Sequence, residues 1–84
     1  MDGEKIISLF NEAKEKASII SGIDKDSLND RSDETRQLIC LISKELNEYL
    51  YVSGITFLDS DVCKYLEDNG YSQLVKILDA LNYF

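Results

Sequence analysis

Between the glycines at positions 3, 22, 54 and 70, apolar side chains recur at three- and four-residue spacing, and the chain contains no proline. That is the period of an α-helix with one buried stripe, not the two-residue alternation of a half-buried strand. The 84 residues therefore parse into four amphipathic segments with glycine near the stops, which predicts an all-α chain.

The first segment runs from about Glu4 to Ser21 and carries Ile6, Leu9, Phe10, Ala13, Ala17 and Ile20 on one stripe. Glu4, Ser8, Glu12 and Glu15 fall opposite, and Gly22 can take the left-handed conformation that closes a helix. Residues 23–32 read as a polar connection, with Ile23 and Leu28 pinning it to the core. Ser32 has the chemistry of an N-cap, and Asp33 and Glu34 suit the positive end of the helix that follows. This second helix extends to about Ser53, about 30 Å at 1.5 Å per residue. Leu38, Ile39, Ile42, Leu46, Tyr49 and Leu50 form its buried face, whereas Cys40, Lys44, Asn47 and Tyr51 project to the far side.

After a short apolar lead-in, Ile55 to Leu58, the run Asp59-Ser60-Asp61 caps a shorter third helix with Val62, Tyr65 and Leu66, ended by Asn69-Gly70. Ser72 is the expected cap of a fourth, burying Leu74, Val75, Ile77, Leu78 and Leu81, with Tyr83 and Phe84 folding back. The expectation is a small four-helix bundle, three long or medium helices plus one short, in a single helical domain over residues 1–84.

Sixteen Asp and Glu against nine Lys and Arg give a net charge of −7, which repels phosphate backbones and anionic lipid alike. Direct nucleic-acid binding and membrane association are not expected, and no apolar run approaches the roughly 20 residues of a membrane span. The start, Met1-Asp2-Gly3-Glu4-Lys5, lacks the pattern of a secretory signal, which points to the cytoplasm. Cys40 and Cys63 are too few for a disulfide framework and read as buried free thiols.

Candidate chemistry is sparse. With no histidine in the chain, a histidine-based triad cannot form, and no other base is legible beside a Ser or Cys, so no enzymatic activity and no cofactor are expected. Asp59 and Asp61 are two apart on a helix and diverge, so they cannot share a proton or metal by themselves. The stretch from Asp24 fails as a calcium loop, with Leu28, Asn29 and Thr35 in three of its key slots. A third helix, glycine turn and fourth helix imitate a DNA-reading motif, but Gln73, Lys76 and Asn82 are all it offers to phosphates and bases.

Gly22-Ile23-Asp24-Lys25-Asp26-Ser27-Leu28 resembles the loop after the first helix of acyl carrier proteins. Glu45-Leu46-Asn47-Glu48-Tyr49-Leu50 followed by Ile55 resembles the end of their second, and the chain is similar to them in size and acidity. In that family an Asp-Ser-Leu triplet opens the second helix and its Ser carries phosphopantetheine. Here Asp26-Ser27-Leu28 lies upstream of the Ser32 cap, so the resemblance implies an arm on Ser27 or Ser32 as an alternative reading.

The main expectation is a binding surface. Acids cluster at Asp24 to Glu34, at Glu45 with Glu48, and at Asp59 to Asp68, and Tyr49, Tyr51, Tyr65 and Tyr71 are interleaved with the last two. Carboxylates steer a basic partner and tyrosines supply contact area at small entropic cost. Glu45, Glu48, Asp59, Asp61, Glu67 and Asp68 are the expected partner-binding carboxylates and Tyr51 the contact anchor. The partner suited to them is a basic protein, such as a toxin or nuclease, neutralised by an inhibitor of the immunity, antitoxin or phage kind. A third reading is a self-associating subunit using Leu41, Val52 and Ile55.

Overall fold

Packing of the amphipathic stripes produces four helices, α1 (Asp2–Ser21), α2 (Asp33–Val52), α3 (Ser60–Asp68) and α4 (Ser72–Ala80), in a computed structural model that describes residues 2–24 and 33–84. There is no strand among the described residues. The Leu28 pin, the Asp26-Ser27-Leu28 triplet, the Ser32 cap and most of the rejected calcium loop lie outside them; Ile23 packs against the core as expected.

Helices α1 and α2 run antiparallel, since Lys16 meets Glu45 and Ile20 shares a groove with Leu41. Ala13 and Ala17, both fully buried, present small side chains at the α1 contact, where Leu38, Ile42, Leu46 and Leu50 fill the facing side of the core. Ile20 departs from the expected stripe and is 57% exposed. Helix α3 reaches α1 through Tyr65, whose ring lies over Gly3 in the space a Cβ would need. Phe10 meets Tyr71 edge to face, with centroids 6.4 Å apart, and so ties α1 to the α3–α4 junction.

Three helices stop by one device. Gly54, Gly70 and Asn82 take positive φ values of 75°, 82° and 67°, and in each case the residue that follows donates its N–H back to the last turn. These bonds are Ile55 to Leu50, Tyr71 to Leu66 and Tyr83 to Leu78, at 2.8–3.0 Å, the six-to-one bond of a Schellman motif. Each motif turns an apolar residue back toward the core.

Two boundaries differ from expectation. Ser72 does not cap α4; Tyr71 holds that position without a side-chain cap, because its backbone closes α3 and opens α4 at once. Helix α4 is also as short as α3, nine residues each, because the chain reverses at Asn82. Tyr83 folds back and is 6% exposed. Its hydroxyl donates to Asn47 Oδ1 at 2.8 Å and its carbonyl accepts from the Leu58 N–H at 2.7 Å.

Candidate functional site

The end of α2 places the anchor residue. With Leu50 and Ile55 committed to the core by the turn at Gly54, Tyr51 and Val52 are left on the outside, 80% and 84% exposed. The connection that follows puts Ile55 and Leu58 inward and Phe57 outward, 70% exposed. Three large apolar side chains are thus presented within seven residues of chain at the α2–α3 junction. Phe57 was not legible in the sequence: in an irregular connection no period tells the inner positions from the outer.

Helix α3 then supplies carboxylates. Asp59 caps it, its Oδ1 accepting the Val62 N–H at 3.1 Å, and Asp61 lies in its first turn. Asp59, Asp61, Glu67 and Asp68 are all exposed, as is Glu48 on α2. Val62 and Leu66 bury the opposite side of α3. Its acids therefore stay in water while the helix remains anchored.

Glu45 does not join them. It is 7% exposed, and its Oε2 lies 2.9 Å from Lys16 Nζ, so its charge is satisfied within the chain. The physical reason is its place in the row Leu41–Glu45–Tyr49, whose apolar members pack against the core. Glu45, by its carboxylate, and Tyr49, by the face of its ring 5.9 Å from the ammonium, draw the Lys16 head across the α1–α2 contact. The close Glu45 carboxylate, through this contact and its charge, raises the Lys16 pKa above its ordinary value.

The tyrosines divide in the same way. Tyr49, Tyr65 and Tyr71 are half-buried against the core and Tyr83 is buried, which leaves Tyr51 as the tyrosine presented outward. The two cysteines are free, but neither is buried: Cys40 is exposed on the outer face of α2 and Cys63 is half-exposed. Cys63 Sγ donates to Glu67 Oε1 at 3.6 Å. Desolvation first, then the Glu67 and Asp79 carboxylates, hold its thiol above the usual range, which disfavours the thiolate needed for nucleophilic chemistry.

Of the three residues read as a self-association edge, Val52 is exposed while Leu41 and Ile55 pack against the core. Ser27 and Ser32, the positions implied for a carrier arm, lie outside the described residues. Among the described residues no group of three or more His, Cys, Asp or Glu side chains is arranged to hold a metal ion, and no helix is long and apolar enough to cross a membrane. No family model, curated protein or solved structure matches this chain.

Proposed function

We propose that the protein is a cytoplasmic, non-enzymatic inhibitor of the immunity, antitoxin or phage type, which neutralises a basic protein such as a nuclease by covering its nucleic-acid-binding surface. The observation that carries the reading is Tyr51, an aromatic left four-fifths exposed at the end of α2, beside Val52 and within one helical turn of Glu48. Large aromatics of this kind supply the central anchors of interfaces, and carboxylates around them pair with Lys and Arg of the partner. Asp59, Asp61, Glu67 and Asp68 on α3 supply that acidic complement, and the net charge of −7 steers a cationic partner from a distance. Glu45 has no part in the contact because Lys16 already holds it.

Affinity capture from the source cell, with the wild-type chain beside Tyr51→Ala and Asp61→Lys/Asp68→Lys variants, tests the reading. The expected product is a basic protein whose affinity falls roughly 30-fold on loss of the aromatic anchor, the equivalent of about 2 kcal/mol. Charge reversal on α3 weakens capture as well. An acidic captured protein, or capture indifferent to both variants, overturns the proposal.

A further inference from the structure

A second face of the molecule carries unpartnered apolar surface. Ile19 and Ile20, in the last turn of α1, are 77% and 57% exposed. They do not stand singly: together with Tyr49 from α2 they line a shallow groove between the two long helices, walled by Glu12, Glu15 and Lys16. Isolated exposed apolar residues are ordinary, whereas neighbouring ones gathered in a groove mark a contact surface.

Charge selects the occupant. The one cation lining the groove is already used, because Lys16 Nζ lies 2.9 Å from the buried Glu45 carboxylate and over the Tyr49 ring. Glu12 and Glu15, three apart and both exposed, share a face of α1 with Ile19 and leave the wall negative. A second copy of a chain with net charge −7 is repelled there, and so is an anionic bilayer. A trough between two helices accepts a third helix by its apolar stripe.

We propose that this groove docks a cationic amphipathic helix of a partner protein, with the apolar stripe on Ile19 and Ile20 and its Lys or Arg residues against Glu12 and Glu15. None of the lining residues belongs to the surface around Tyr51, so the two contacts stand or fall separately.

The test uses the full chain and a synthetic 18-residue helical peptide of leucine and lysine, with leucines at helical spacing. A scrambled peptide of the same composition is the control. Titration followed by nuclear magnetic resonance is expected to shift the Ile19, Ile20 and Tyr49 signals with the patterned peptide. Glu12→Lys/Glu15→Lys and Ile19→Ser each weaken binding at least about tenfold, consistent with loss of anchoring contacts. Asp79→Asn, an exposed carboxylate on α4 outside both surfaces, leaves it within about twofold.

Equal binding of the scrambled peptide, shifts centred on α3, or no binding overturns the proposal. So do Ile19 signals that move with protein concentration alone, the mark of a second copy in the groove. Because the proposed inhibitory surface is read by Tyr51→Ala in the capture experiment, failure at one site is distinguishable from failure at the other.

Discussion

Glu45 and Tyr51 share one helix and one expectation, yet one is buried against Lys16 and the other is 80% exposed. Row membership decides the difference. Glu45 has apolar residues four positions away on both sides, Leu41 and Tyr49, a spacing legible in the sequence that puts it on the inner row despite its charge. Gly3 carries a quieter constraint. Alanine favours helices over glycine by about 1 kcal/mol, so Gly3→Ala by propensity alone should stabilise α1. Its Cβ would instead enter the Tyr65 ring. The expected result is a net loss of about 1 kcal/mol in a urea unfolding curve, in line with overpacking, and recovery when Tyr65→Leu is added. A stabilised single variant would contradict the Tyr65–Gly3 contact. No periodicity argument could have found this pair, because it depends on where α3 lands on α1.

The sequence made the elements legible almost to the residue where turn chemistry was explicit. Gly54-Ile55 and Gly70-Tyr71 pair a residue tolerant of positive φ with an apolar one that returns to the core, and both stops fall where expected. Asn82-Tyr83 performs the same function with asparagine, a weaker signal, and α4 is nine residues long where a medium helix is expected, although Tyr83 folds back as the sequence predicts. The missing Ser72 cap has a similar cause: a junction that closes one helix while opening the next leaves Tyr71, not Ser72, at the cap position. Asn82→Gly should hold or raise stability, whereas Asn82→Ala should cost about 1 kcal/mol, the usual penalty for a Cβ in the left-handed region. Thermal unfolding of the two variants checks this, and equal midpoints would deny the motif its role. The spacing of Ile55 and Leu58 gave no comparable warning of Phe57, which is why that part of the candidate surface emerged only from the fold.

At the scale of the whole fold, the perturbed groups among the described residues favour their protonated forms: Lys16 through Glu45, Cys63 through desolvation and Glu67, and Tyr83 through burial. All three pKa values are raised, so the folded state holds these protons more tightly than the unfolded state. Their contribution is complete below the ordinary values of 9.0, 10.0 and 10.5 for Cys63, Tyr83 and Lys16 and is lost as pH rises through the folded values. Denaturant midpoints should therefore fall from about pH 9 upward. A flat or rising midpoint there would contradict the Lys16–Glu45 and Tyr83 environments together.

The bundle as a whole was legible because one core serves four stripes, and among the described residues that core holds the apolar stripes as expected, apart from Ile20, while Cys40 and Cys63 stay outside it. The site was legible only in part: exposed acids and Tyr51 follow from helical phase, but the internal use of Glu45, Tyr49, Tyr65 and Tyr71 follows from packing. Long-range attraction between this exterior and a basic protein is the central element of the proposed function. Its most direct test is the association rate with the captured partner, followed by stopped-flow mixing across ionic strength. Electrostatic steering predicts a fall of about tenfold or more between about 0.01 M and 0.15 M salt, as the screening length contracts from about 30 Å to about 8 Å. A rate unchanged over that range would contradict it.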